Sequence, residues 1–211
     1  GRTIAPLQRI STLYTGIDYS EAMVRHCREH FPGVHIEHAD ARKLTQIESG
    51  SISLVMFSCN GISMVDHAGR LAILREVLRV LRPGGVFIFS TCNRNSAMAK
   101  GSLEFPEFSL SANPIRLMVR AARFVGHLVF RIVNRARYKS LEVHETEYAI
   151  INDRYHHHQT MIYFISVEQQ LRQLRNEGFA EDIKVFDLSG KRVTDDTRDD
   201  TITFLVRKPT G

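Results

Sequence analysis

The feature that most constrains this chain is an alternation of strand-like and helix-like segments between residues 13 and 90. LYTGID at 13–18 is a short apolar run ending in an acid. Ser20 can then cap a helix reaching about His30, with Met23 and Cys27 one turn apart. Pro32-Gly33 stops it, and VHIEH at 34–38 alternates as a strand does. ISLVMFS at 52–58 is almost continuously apolar, which predicts a strand buried on both sheet faces. From Asp66 a second helix follows, since Leu71, Leu74, Leu78 and Leu81 recur at helical steps on one face. Pro83-Gly84-Gly85 ends it ahead of another buried-type strand, VFIFS at 86–90. Strands separated by helices pair in parallel through right-handed crossovers, so these residues predict βαβ units on one sheet.

The final third resumes the pattern. A helix is expected from Val167 to Glu177, closed by Gly178, and strands at 183–187 and 201–207. No helix fits between those two strands, so they should pair antiparallel. Residues 94–150 break the alternation with a polar stretch and a long helix candidate from about Pro114 to Tyr138, an insertion over the carboxyl edge of the sheet. The architecture expected is α/β, a layered sheet with a terminal hairpin and a helical insertion.

A length of 211 residues suits one domain with an inserted cap, and 43% hydrophobic with 24% charged residues is globular composition. Cys27, Cys59 and Cys92 are odd in number and widely spaced, which speaks against a disulfide framework and for a reducing, cytoplasmic setting. No apolar run approaches the ~20 residues that cross a bilayer, and GRTIAPLQRI lacks the apolar core of a secretory signal. The expectation is a soluble intracellular protein.

Ligands of open parallel sheets bind beyond the carboxyl ends of the strands. Here those ends carry Asp18, Asp40, Ser58 to Gly61 and Ser90 to Asn93. A carboxylate ending the second strand of such a unit can accept both hydroxyls of a ribose, whereas the plainer role for Asp18 is to cap the following helix. On residues alone the two stand even.

Four segments occur together in order and spacing: GIDYS at 16–20, HADAR at 38–42, LVMFSCNGI at 54–62 and VLRVLRPGGVFIFST at 77–91. With them the chain resembles the class I S-adenosylmethionine-dependent methyltransferase family over residues 1–93, and more weakly over 167–207. The resemblance implies a Rossmann-like, doubly wound, mostly parallel sheet with a C-terminal antiparallel hairpin. It implies a cofactor-binding half at 1–93, an insertion or substrate cap at 94–165 and a completing helix and hairpin at 166–211. The cofactor implied is S-adenosyl-L-methionine. Asp18 matches the acid holding the cofactor ribose, and Tyr19 lies against the adenosine. Asp40 matches the acid for the adenine amino group, with Ala41 giving backbone contact. Ser58, Cys59 and Asn60 match the segment beside the methionine moiety and the transferable methyl. The family's first strand and glycine-rich loop should precede residue 16, and Gly1 falls where that loop ends. This departure predicts weak cofactor binding by the chain as it stands and leaves two strand edges open to another chain, so a homo-oligomer through a swapped segment is expected.

The function implied is methyl transfer to a small-molecule acceptor, an in-line displacement in which positioning supplies much of the rate. If the acceptor is a hydroxyl or phenol, a base would assist, and His67 and His144 are the candidates; each also reads as a structural or surface histidine. Cys59 and Cys92 read as core cysteines. Two other readings are a non-catalytic binding protein of the same fold and an RNA methyltransferase.

Residues 108–141 contain seven basic residues and no acid. Arg116, Arg120, Arg123, His127, Arg131 and Arg135 share one helical face. The plain reading is a solvated arginine face whose apolar side packs on the sheet. The alternatives are a lid over an apolar substrate, an anionic membrane surface, or nucleic acid, the last disfavoured by the sparse aromatics. His156, His157 and His158 are expected in an extended segment at 155–165, alternating in direction, with no carboxylate or Cys nearby to complete a metal site. His26 and His30 read as surface histidines, so no metal is expected. Asp195, Asp196, Asp199 and Asp200 read as a polar hairpin loop.

Overall fold

The computed structural model describes every residue except 102–104, 106–107, 154–155, 180–181, 194–196 and 211. Its elements form two sheets. β1 (Thr15–Asp18) and β2 (His35–His38) pair in parallel as a two-stranded sheet, with Asp18 opposite His38. The short helix α1 (Ile4–Gln8) precedes them, and α2 (Glu21–His30) crosses between them. Ser20 caps α2 as expected, its hydroxyl accepting from the Met23 amide at 3.4 Å. The face α2 buries is Val24 and Cys27, while Met23 is exposed. Gly16 has no room for a side chain: a Cβ there would lie 2.6 Å from Ile36 Cδ1, and this close approach explains a glycine inside a strand.

The larger sheet has seven strands. β3 (Ile52–Phe57) runs parallel to β4 (Leu81–Asn93), with Leu54 opposite Val86 and Phe57 opposite Phe89. β4 starts before the Pro83-Gly84-Gly85 turn, and the register shifts between Ile52 and Leu54 to accommodate it. On the other side of β4 lies β9 (Thr201–Arg207), antiparallel, and outside it β8 (Lys184–Phe186). The terminal hairpin is therefore present as the sequence predicts. β3 is half exposed, with Met56 open to solvent, because its second edge has no partner among the described residues. That corrects the expectation of burial on both faces.

The insertion adds strands that the sequence did not announce. β5 (Val143–His144), β6 (Ala149–Asn152) and β7 (Met161–Ile165) continue the sheet, and β7 joins the end of β4 in parallel, Cys92 opposite Phe164. The sheet is thereby mixed. The expected extended segment at 155–165 is replaced by β7 alone. His156 to His158 lie in a turn, His157 and His158 at φ 54° and 59°, and His158 is buried while His156 is exposed. Alternation fails there because the chain reverses direction. Of the expected acidic loop, Asp195 and Asp196 lie outside the described residues; Asp199 accepts from the Leu188 amide at 3.3 Å.

Helices α3 (His67–Val80) and α5 (Val167–Asn176) cover the main core. Asp66 caps α3 through the Gly69 amide at 2.8 Å, and Ser166 caps α5. Ile73, Leu74, Val77, Phe87, Phe89, Phe204 and Val206 form the centre of that core. A second, small core of Ile4, Val24, Cys27 and Ile36 sits under α2. The inserted helix α4 (Pro114–Lys139) starts on an Asn113 cap and packs beside β6.

Candidate active site

The residues singled out at the strand ends gather in two groups. In the first, parallel pairing of β1 with β2 brings Asp18 and the 39–40 segment to one end, tied by the Ala39 amide donating to the Asp18 carbonyl at 3.1 Å. Asp18 Oδ1 accepts from the Ser20 amide at 2.8 Å, while its other oxygen has no hydrogen bond among the described residues. One carboxylate therefore shapes the start of α2 and still offers an acceptor. Asp40 is engaged differently. Arg42 clasps both its oxygens, Nε at 2.8 Å and Nη2 at 2.6 Å from Oδ2, and the hydrogen bonds from Arg42 hold the carboxyl below its ordinary pKa. The pair is exposed, so Arg42 can swing away at little cost. Tyr19 is 76% exposed, with its carbonyl accepting from His38 Nε2 at 2.8 Å. Ala41 packs at the margin of the main core.

The second group is the turn after β3. Cys59 and Asn60 follow one another in the left-handed region, at φ 57° and 56°. Two such residues in succession store conformational strain, which tends to mark sites where backbone direction matters. The Asn60 amide donates to Ser90 Oγ at 2.9 Å and its side-chain nitrogen to Thr201 Oγ1 at 2.9 Å, fixing the turn to β4 and β9. Its Oδ1 is buried with no partner among the described residues. A buried amide oxygen without a donor is a costly arrangement that a ligand N–H would relieve. Cys59 is exposed, not a core cysteine as the sequence suggested, and Arg2 Nη2 lies 3.1 Å from its sulfur. That contact brings the start of the chain to this turn. Gly1 itself packs on Phe31, where a Cβ would meet the ring at 2.5 Å. Cys92 is buried, and burial pushes its thiol up to about 11.

His67, the first residue of α3, is half buried. Its Nδ1 is 2.9 Å from the Tyr163 hydroxyl, and Tyr148 stacks on its ring at 4.2 Å with 5° between planes. Burial pushes Tyr163 up to about 12, so its phenol is neutral at physiological pH. A cavity of about 130 Å³ opens beside them, lined by His67, Tyr163, Glu147 and residues of α5. The strand-end residues Asp18, Asp40 and Ser58 to Asn60 do not line it. His144 stands apart, exposed on β5 and 3.6 Å from Glu142. His67 at the start of α3 joins the stack to the cavity, while the strand ends lie apart from it and His144 joins neither.

Sequence reasoning missed Arg70. It is fully buried on α3 and donates to the Ile62 carbonyl at 3.0 Å, Thr91 Oγ1 at 3.1 Å, Gln173 Oε1 at 3.0 Å and Gln170 Oε1, with Tyr163 under its guanidinium at 4.6 Å. Burial lowers its pKa to about 10, so it remains charged at neutral pH. It fixes the Ser58–Ser63 turn to β4, β7 and α5. The only signal in the sequence is its place in the register of Ile73, Leu74 and Val77, where an apolar residue is expected. On the surface of α2, His26, Glu29 and His30 bring ligand atoms within 4.8 Å of one another, all exposed. Among the described residues no helix is long and apolar enough to cross a membrane.

Comparison with known proteins adds to this geometry. A methyltransferase-domain family model matches residues 1–85. The chain is 39% identical over 80 residues to a Mycolicibacterium smegmatis protein named "Probable S-adenosylmethionine-dependent methyltransferase", covering 37% of this chain and 29% of that protein. It is 30% identical over 132 residues to phthiotriol/phenolphthiotriol dimycocerosates methyltransferase of Mycobacterium tuberculosis, covering 62% of this chain and 45% of the relative. The chain thus spans less than half the length of these relatives. In fold it is similar to a solved SAM-dependent methyltransferase of Thermotoga maritima, with a TM-score of 0.58 at 18% identity, over 99% of this chain and 77% of that one. Residues 1–85 thus match a methyltransferase domain, and the fold that continues them is similar to that of solved S-adenosylmethionine-dependent methyltransferases.

Proposed function

We propose that the chain takes part in methyl transfer from S-adenosylmethionine to a small-molecule acceptor. The observation that carries the reading is a pair of acceptors at the strand ends that no protein group engages among the described residues: the second oxygen of Asp18, open to solvent, and the buried Oδ1 of Asn60. Asp18 would hold ribose hydroxyls, Asp40 the adenine amino group once Arg42 releases it, and Asn60 an N–H of the methionine moiety, with Tyr19, Ala41, Ser58, Cys59 and Gly1 around them. When bound, the cofactor supplies an electrophilic methyl on a sulfonium. The methyltransferase-domain match over residues 1–85 and the names of the relatives support this choice of cofactor.

On the acceptor side, His67 is the base we favour. To take a proton at Nε2 its Nδ1 must carry hydrogen and donate it to the Tyr163 oxygen. A neutral phenol, itself receiving a 3.4 Å bond from Gln173 Nε2, can accept that bond, and the Tyr148 stack fixes the ring plane. Tyr163 is then a positioning residue. His144 has no such support.

Calorimetric titration of S-adenosylmethionine and S-adenosylhomocysteine tests the reading, on this chain and on a version extended by a strand and glycine-rich loop before Gly1. Binding by the extended form that weakens at least tenfold on Asp18→Ala is the expected outcome, from the loss of one or two hydrogen bonds to a charged acceptor at about 1.5–3 kcal/mol each. Failure of both forms to bind would leave the non-catalytic reading in its place.

A further inference from the structure

Helix α4 turns its apolar side outward. Leu117, Ala121, Phe124, Leu128 and Arg131 lie toward the protein, half buried or buried. Ile115 and Met118, each 73% exposed, begin a second apolar row that continues through Val125, Val129, Ile132 and Val133, all exposed. This overturns the expectation that the apolar side packs on the sheet: the helix has more apolar circumference than the sheet can cover. Ahead of the helix, Phe108 and Leu110 are exposed as well, and Arg120 holds the carbonyls of Ser109 and Leu110 at 3.2 and 2.7 Å.

Charge says what covers this face. Val119 and Phe130, also exposed, bring the apolar face round the helix to Arg123, Arg116, His127 and Arg120, which follow on the circumference, and no carboxylate pairs with Arg116, Arg120 or Arg123 among the described residues. The whole stretch 108–141 holds no acid. Against a second copy, the same unpaired arginines would meet themselves across the contact. A surface that offers hydrocarbon beneath a layer of negative charge satisfies both features at once, the apolar side chains sinking below the headgroups while the arginines extend to the phosphates. We propose that the outward face of α4 lies in the plane of an anionic lipid bilayer surface and docks the protein there. Spanning is excluded by the arginine row and by the hydropathy of the helix.

The inference does not depend on methyl transfer, and its test needs no activity. The probe is co-sedimentation with vesicles of phosphatidylcholine alone and of phosphatidylcholine mixed with phosphatidylglycerol. Binding to the mixed vesicles, weakening as salt rises, is expected. Val125→Asp with Val129→Asp should abolish it while the circular dichroism spectrum and Tm stay unchanged, since both side chains face solvent. Arg116→Gln with Arg123→Gln should weaken it about tenfold or more. Equal binding to both kinds of vesicle, or none to the mixed vesicles at low salt, would overturn the proposal. So would a dimer in sedimentation velocity that is lost in the Val125→Asp, Val129→Asp protein, or single-stranded RNA binding that outcompetes the vesicles and survives those two changes.

Discussion

Arg70 shows how much of a fold can hang on one side chain whose role is invisible in the sequence. Four acceptors from three parts of the chain converge on its guanidinium: Ile62 from the turn after β3, Thr91 from β4, and Gln170 and Gln173 from α5. No carboxylate is among them, so the charge is balanced by dipoles and by the Tyr163 ring. The planar fork is what lets one residue reach all four, which a lysine cannot do. Arg70→Lys keeps the charge but strands at least two buried acceptors. It is expected to cost about 2–4 kcal/mol, measured as a lower urea midpoint with unchanged slope. A midpoint equal to the parent's would show the fork to be dispensable. Asp18, Asp40 and Asn60 drew notice because each sits in a segment whose order and spacing resemble the family's. Arg70 sits in no such segment, and a charged residue at a core position reads as noise until its acceptors are seen.

At the scale of elements, legibility followed length and local chemistry. α2, α3 and α5 begin where Ser20, Asp66 and Ser166 supply caps, and β9 ends where its apolar alternation ends. β5 and β6 are two and four residues long, too short for any period to declare itself; β6 forms on the edge that β7 offers, and β5 on the edge of β6. The loop from Leu44 to Gly50 had no reading at all, yet it is pinned to α3 by side chains. Glu76 Oε2 accepts from the Leu44 amide at 2.7 Å, while Arg79 donates to the Leu44 and Ile47 carbonyls at 2.7 and 2.9 Å and pairs with Glu76 at 2.9 Å. The hydrogen bond from Arg79 leads the causes that hold Glu76 below its ordinary 4.5. A carboxyl whose folded pKa is depressed stabilises the fold above its unfolded value and loses that contribution as pH falls through the folded one. Glu76→Gln should therefore lower Tm at neutral pH, and the gap to the parent should close as the pH falls below 4.5. A gap that persists unchanged to pH 3 would mean that the charge on Glu76 does not hold the loop.

The molecule as a whole is divided in a way the alternation of its segments conceals. Periodicity gives the longer strands and helices but says nothing of which strands share a sheet. β1 and β2 pair with each other alone, and β3 pairs with β4 alone, so one edge of β1 and one of β3 have no ladder partner among the described residues. The cores divide in the same place. Ile4, Val24, Cys27 and Ile36 hold the N-terminal unit, whereas the stacked Phe87, Phe89 and Phe204 lie in the much larger core of the seven-stranded sheet. A two-stranded sheet with so few buried side chains opens at a lower free energy than a sheet buried beneath two helices. Native-state hydrogen exchange should then show amides of 15–18 and 35–38 exchanging through a local opening, while those of 86–92 and 202–206 exchange only with global unfolding. Ile36→Ala removes a branched side chain from the smaller core, at about 2–5 kcal/mol. It should accelerate exchange in 15–38 by roughly thirtyfold or more, at a factor of ten per 1.4 kcal/mol, and leave 86–92 unchanged. Equal acceleration in both regions would mean that the two cores unfold as one. The division bears on the proposed cofactor site, since Asp18 and Asp40 lie on the weaker unit and Asn60 on the stronger. A ligand that engages all three bridges the two and should restore protection to 15–38 in proportion to its saturation.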